Sequence, residues 1–359
     1  MKAWLLQETG TIKYEETDIP ELRENEVLLE VKAAGICGSD IPRIYRDGAH
    51  KMPLVPGHEF SGKVVQLGKW VDESWMQKRV GVYPLIPCKE CTSCRNGQFE
   101  MCKNYSYLGS RQDGGFAEYV AVPVQNLMEL PDIVSYEQAA MLEPMSVAVH
   151  AMRRVNVAQT NMVVVYGLGT IGLLLVMFLL EKGITNVFAV GNKASQRDAV
   201  VSIGLPETHF CDCKEQNVSE WIAEKTNHLN ADVVFECVGK SETVSEVISL
   251  ATAGGHICVV GNPHSDMNLD KQTYWKILRN QLTITGTWNS SFFKSILDAD
   301  EYGYYEELVD WEYVLKKLEE GRIAPQKLIT HPFAMEDLET GFHIMRDKTE
   351  DYIKIMMRI

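Results

Sequence analysis

Apolar positions fall along the chain in two textures. Up to about residue 152 the runs are short and interrupted. Val27–Val31 and Gly62–Leu67 read as strands, with Gly and Pro punctuating the loops between them. From about Asn161 the pattern changes. Met162–Tyr166 is a continuous β-branched run, too short for a helix, as in a parallel strand buried on both faces. A glycine turn follows, and Ile171–Lys182 then reads as a helix. Further short runs at Val187–Val190, Val233–Cys237, Ile257–Gly261 and Leu282–Gly286 are separated by helix-like stretches, among them Ser219–Thr226 and Glu242–Ala251. Such alternation predicts a doubly wound parallel sheet. The tail from Glu307 holds a polar helix, Val309–Glu320, and a short final strand, Tyr352–Met357. The expected organisation is a β-rich domain over 1–152, an inserted α/β domain over 153–292, and a segment 293–359 that returns to the first domain.

Composition narrows the classes. A chain of 359 residues suits about two domains. Its 45% hydrophobic and 23% charged residues are those of a soluble globular protein. The net charge of −14 argues against nucleic-acid binding, though not against a local basic pocket for a small phosphate. No apolar run reaches the ~18 residues of a membrane span. The start, Met1-Lys2-Ala3-Trp4, lacks the apolar segment of a signal peptide. A cytoplasmic location is expected. Nine cysteines, an odd number in a large chain, do not suggest a disulfide framework.

Those cysteines acquire a purpose from their spacing. Cys88, Cys91, Cys94 and Cys102 form C-x2-C-x2-C-x7-C. Four soft thiolates in one short lobe suit tetrahedral zinc, with an iron–sulfur cluster as the alternative. A site filled by four thiolates leaves no open position and should be structural. Cys37, Gly57-His58-Glu59 and Glu143-Pro144 offer a second donor set, in which thiolate, imidazole and carboxylate can hold zinc and leave room for substrate. Asp40 is a candidate to orient the His58 ring. Gly167-Leu168-Gly169-Thr170-Ile171-Gly172 is a G-x-G-x-x-G that follows an apolar strand and opens a helix, the context in which glycines admit a pyrophosphate to a helix N-terminus. At the end of the next strand a carboxylate for an NAD ribose is absent. Gly191 stands there, followed by Asn192, Lys193 and Arg197, which favours a 2′-phosphate and hence NADP over NAD.

Together these motifs, with Gly114–Tyr119, resemble the zinc-dependent medium-chain dehydrogenase/reductase family, and within it the polyol dehydrogenases. The resemblance covers essentially the whole chain. It implies a GroES-like catalytic domain, a Rossmann domain and two Zn2+ ions, one catalytic and one structural. Cys37 and His58 match the catalytic ligands, and either Glu59 or Glu143 supplies the carboxylate. Ser39 matches the hydroxyl that passes the substrate proton onward, with His50 at the outer end of that relay. Hydride would move between a nicotinamide cofactor and a secondary alcohol, a polyol or a polyol phosphate such as galactitol 1-phosphate. Arg43 and Arg111 are the candidate cations for such a phosphate. Unphosphorylated polyols, threonine and simple secondary alcohols are the alternatives. Outside this class stand a non-enzymatic binding protein and a zinc-free quinone reductase, both of which would lack the metal ligands kept here. The resemblance also implies a homodimer or homotetramer.

Overall fold

The computed structural model describes residues 1–263, 265–294 and 308–359. Part of the expected C-terminal segment, residues 295–307, lies outside them, and so does the start of the tail at Glu307. The chain divides into two compact units: Met1–Glu143 with Ser291–Gly321 and Ile329–Ile359, and Pro144–Ser290 with Arg322–Leu328. It passes from one to the other inside the helix Leu142–Arg154.

The first unit is built on a seven-stranded sheet. Its order is Ile329–Ala334, Lys354–Arg358, Glu26–Ile36, Glu59–Leu67, Arg79–Val82 and Leu127–Glu129, with Tyr119–Pro123 also paired to Glu26–Ile36. Glu26–Ile36 and Glu59–Leu67 run longer than their apolar cores suggested, because both continue as an antiparallel pair to the Gly35–Glu59 rung. The tail returns to this unit. Its final strand pairs antiparallel with Glu26–Ile36, Ile355 facing Ile36. Trp4 fixes the return, donating from Nε1 to Met335 O at 2.7 Å and packing edge-on against Phe342 with ring centroids 5.7 Å apart. Phe60, Phe116 and Phe342 are fully buried there. Burial of one such side chain is worth about 1.5–3 kcal/mol.

The second unit is α/β. Its six-stranded sheet runs Phe210–Asp212, Val187–Gly191, Val163–Tyr166, Ala231–Glu236, Ala251–Val259 and Thr283–Gly286, every pair parallel. All four residues of Val163–Tyr166 are buried, as its unbroken apolar run requires. The following helix, Thr170–Glu181, is buried at every position from Gly172 to Leu179. Ala251–Val259 begins where the sequence suggested the end of a helix, and Gly254, at φ +76°, sits within it. Strand order reverses at Val163–Tyr166, which makes the crevice beyond its C-terminal end the place where a doubly wound sheet takes ligands. Among the described residues no helix is long and apolar enough to cross a membrane.

Candidate metal centres and cofactor loop

Two groups of metal-binding side chains form in the first unit. In the lobe, the sulfurs of Cys88, Cys91, Cys94 and Cys102 all lie within 4.8 Å of one another. Cys91 Sγ is 3.6 Å from Cys94 Sγ and 4.0 Å from Cys102 Sγ. A tetrahedron with Zn–S bonds of about 2.3 Å has edges of about 3.8 Å, so the donors already stand at zinc spacing. None of the four is in a disulfide. The chain turns tightly to do this, with Lys89 at φ 62° and Gly97 at φ 74° flanking the short helix Thr92–Arg95. Backbone amides point inward: Cys88 N donates to Cys102 Sγ at 3.2 Å and Cys91 N to Cys88 Sγ at 3.4 Å. Backbone donors hold the Cys91 thiol down at about 6, while burial pushes Cys94 up to about 12.

The second group is gathered from distant segments. Cys37 leaves the end of strand Glu26–Ile36, and His58 and Glu59 open the neighbouring strand. Their donor atoms lie within 4.8 Å of one another. Gly57 sets the approach at φ +94°, and a Cβ there would meet the Phe116 ring at 2.7 Å. Asp40 is wholly buried behind the cluster. It accepts from Cys37 N at 3.0 Å and from an Arg43 guanidinium nitrogen at 2.6 Å, and stands 3.3 Å from His58 Nδ1. Burial raises the Asp40 carboxyl, but the His58 ring and Arg43 outweigh it and hold it below the usual range. Burial likewise lowers His58, and Asp40 and Cys37 more than reverse that, leaving its pKa well above the usual value.

Glu143 enters from the helix Leu142–Arg154 and accepts from the Tyr107 hydroxyl at 3.3 Å. Burial pushes its carboxyl up to about 7, with Glu59 adding to the rise. Tyr107 also sets its ring 5.7 Å from that of His58. Behind Glu59 lies Lys354, fully buried, whose ammonium is paired with Glu59 Oε2 and donates to Ile36 O at 3.0 Å. Gly35 leaves the space for this pair, since a Cβ there would come within 2.4 Å of Glu59 Oε2 and 2.6 Å of Lys354 Cε.

In the second unit the glycine loop leaves Val163–Tyr166 and opens the helix Thr170–Glu181. Gly167 has φ +96°, a conformation that favours glycine. Gly172 allows the helix to pack closely, because a Cβ there would sit 2.0 Å from Gly167 O. Gly169 is the residue before the helix, and a Cβ there would meet nothing within 4 Å. Thr170 and Ile171 form the first turn.

Comparison with known proteins agrees with this architecture. The family model for the alcohol dehydrogenase GroES-like domain matches residues 23–132, and that for zinc-binding dehydrogenase matches residues 170–308. Galactitol 1-phosphate 5-dehydrogenase of Escherichia coli (strain K12) is 32% identical over 342 residues, 94% of each chain. L-idonate 5-dehydrogenase of Vitis vinifera is 30% identical and covers 100% of this chain and 94% of its own. The chain belongs to the zinc-dependent medium-chain dehydrogenase family. It is an alcohol- or polyol-type oxidoreductase. A crystal structure of a zinc-binding dehydrogenase from Sinorhizobium meliloti 1021, bound to NADP, superposes with a TM-score of 0.88 at 26% identity, covering 100% of this chain and 99% of that one.

Several of the candidate residues have partners that the sequence did not show. Arg43 pairs with the buried Asp40 through one guanidinium nitrogen at 2.6 Å. Arg197 stands 3.6 Å from Asp198 and 3.7 Å from Glu207, so its charge is shared with neighbouring carboxylates. Ser39 Oγ donates to Cys37 Sγ at 3.4 Å, while His50 is exposed, and no hydrogen bond joins the two among the described residues. Arg111 lies over the Tyr105 ring at 4.4 Å, its Nε buried with no hydrogen-bond partner. Lys354 and Tyr107 were not foreseen. The one sequence signal for Lys354 was a lysine inside an otherwise apolar final strand.

Proposed function

We propose that the protein oxidises a secondary alcohol of a polyol or polyol phosphate, and reduces the corresponding ketone, with NADP preferred over NAD. The Cys37–His58–Glu59 cluster carries this reading. Its mixed donors can leave a position for substrate, whereas the four-thiolate lobe is closed. Both donor sets fit zinc: the lobe by its sulfur spacing, the cluster by a buried imidazole whose Nδ1 faces Asp40, leaving Nε2 for the metal. Zinc bound at Cys37 and His58 would supply Lewis acidity toward the substrate oxygen. Glu59, backed by Lys354, and Glu143, held by Tyr107, are the carboxylates available to complete the site. Ser39 takes the proton of the substrate hydroxyl, and His50 is the group at the surface that can release it. Gly167, Gly169, Thr170, Ile171 and Gly172 seat the cofactor pyrophosphate, and Gly191, Asn192 and Lys193 face its adenosine ribose.

Arg111 is the cation best placed for a substrate phosphate, because its guanidinium is only partly satisfied. The engagement of Arg43 with Asp40 removes the second cation and favours an unphosphorylated polyol as the second reading. A parallel rate screen of polyols and polyol phosphates with NAD and NADP decides between them. Failure to turn over either class, or metal analysis showing no zinc, overturns the function. We also infer a homodimer or homotetramer, supported by the exposed edge strand Thr283–Gly286 and the exposed Trp275 and Trp288. Light scattering of the purified protein tests it. A cytoplasmic location and the absence of nucleic-acid partners complete the proposal.

A further inference from the structure

The end of strand Val187–Gly191 is where a doubly wound dehydrogenase meets the adenosine ribose, usually through a carboxylate on the strand's last residue. Gly191 has no side chain to offer, yet the place is not empty. A Cβ built on Gly191 would lie 2.6 Å from Gln196 Oε1. Gln196 belongs to the following helix, Ala194–Ser202, and folds its carboxamide back over the strand end. It is held there by Asn192 N, which donates to Gln196 Oε1 at 2.9 Å. The next nearest atoms are apolar: Leu168 Cδ1 and Phe210 Cε2, each 3.0 Å from the same Cβ position.

We propose that Gln196 is a specificity-determining residue for the cofactor, a neutral group standing where NAD-using relatives of this fold place a charged one. The proposal rests on the reading that this unit binds a nicotinamide dinucleotide. The backbone bond settles which end of the amide is which. The carbonyl is committed to Asn192 N–H, so the polar group that remains is the NH2, a donor. A donor complements phosphate oxygens, and a neutral amide does not repel them. It cannot replace the acceptor pair that a carboxylate offers to two ribose hydroxyls. Gln196 also guards the site against simple conversion. An aspartate at 191 must push the carboxamide away, break its bond to Asn192 N and move Leu168 and Phe210 by a few tenths of an ångström. Glu at position 196 needs no such movement. One of its oxygens can keep the bond to Asn192 while the other presents negative charge to the ribose.

The experiment measures equilibrium binding of adenosine 2′,5′-bisphosphate and adenosine 5′-monophosphate to the full-length protein, alongside kcat/KM for NADP and NAD. Gln196→Glu should weaken the bisphosphate at least tenfold relative to the monophosphate and shift the NADP/NAD ratio in the same sense. Gln196→Ala should weaken the bisphosphate by a smaller factor, severalfold. Gly191→Asp combined with Gln196→Ala should shift the ratio by more than the product of the two single shifts, a non-additivity expected only if the two side chains compete for one place. Thermal unfolding of each variant separates these effects from a loss of fold. A Gln196→Glu ratio within twofold of the unmodified protein, or additive effects in the pair, overturns the proposal. If the unmodified protein prefers NAD while Gln196→Glu still shifts the ratio, the NADP reading fails and the role of Gln196 stands. If neither nucleotide binds, both fail.

Discussion

The four thiols of the lobe come from one stretch between Cys88 and Cys102, whereas the second cluster draws Cys37, His58 and Glu59, with Glu143 and Lys354 beside them, from across the chain. The lobe needs only tight turns and inward amides to bring its donors together. The cluster needs the whole sheet: strand Glu26–Ile36 ends at Cys37, its partner begins at Glu59, and the returning tail supplies Lys354. A locally closed site can contribute to folding directly once it holds metal. A site assembled by tertiary structure is instead a product of folding, and its stability is borrowed from the pairing of buried charges around it. The two are nevertheless joined. The strands Leu85–Ile86 and Ser106–Tyr107 lead into and out of the lobe, pair antiparallel, and carry Tyr107 to His58 and Glu143.

The largest test of this contrast is a pair of cysteine changes. Cys37→Ser should lower turnover by roughly 10³-fold or more, the equivalent of several kcal/mol of transition-state stabilisation, while leaving thermal unfolding within a few degrees. Zinc content should fall from two per chain to one. Cys91→Ser should instead yield protein that aggregates or unfolds early. Equal outcomes in activity, stability and zinc content would erase the distinction between the two sites.

Lys354 tests the claim that buried charge pairing supports the second cluster. Lys354→Met leaves the Glu59 carboxylate buried without its cation, and removing one partner of such a pair costs about 3–5 kcal/mol. Chemical denaturation should show that loss. Adding Glu59→Gln should recover most of the stability without restoring activity, since Glu59 is also a metal candidate. If the double variant is as unstable as the single one, Lys354 acts through packing rather than through Glu59. A step smaller is Asp40→Asn, which keeps the shape but removes the charge facing His58. Zinc at Cys37 and His58 should then bind about 10–100-fold more weakly in a chelator competition, with the lobe zinc unchanged. Equal release from both sites would contradict the assignment of Asp40 to one of them.

The same contrast explains what could be read from the sequence. The lobe was legible whole because its spacing is its geometry. The parallel sheet was legible because strands buried on both faces must be continuously apolar, as Val163–Tyr166 is. Cys37, His58 and Asp40 were legible as chemistry without their distances. The pairings of Arg43 with Asp40, of Arg197 with Asp198 and Glu207, and of Lys354 with Glu59 were not. A charge in a one-dimensional string carries no record of the partner that folding brings to it. Gln196 was hidden for a different reason: a polar residue on an exposed helix start has no periodic signal, and only the backbone of Gly191 reveals what the side chain covers.

The smallest expected effect lies where the two regions meet. Arg111 follows the strand Ser106–Tyr107, its amide donating to Tyr107 O at 2.9 Å, and its guanidinium lies over Tyr105. The lobe's stem therefore holds both Tyr107, whose hydroxyl donates to Glu143, and the guanidinium proposed for the substrate. The Arg111 Nε is buried without a partner, a situation that costs free energy unless something else satisfies it. A substrate phosphate is a fitting occupant, because guanidinium binds it through paired charge-assisted hydrogen bonds. Arg111→Ala should raise KM for a polyol phosphate about tenfold, with kcat and the KM for the unphosphorylated polyol nearly unchanged. Arg111→Lys should recover part of the loss, since charge survives without the planar fork. If Arg111→Ala instead lowers kcat for both substrates equally, Arg111 serves the stem by steadying Tyr105 and Tyr107 near His58. The lobe would then reach the reaction through positioning alone.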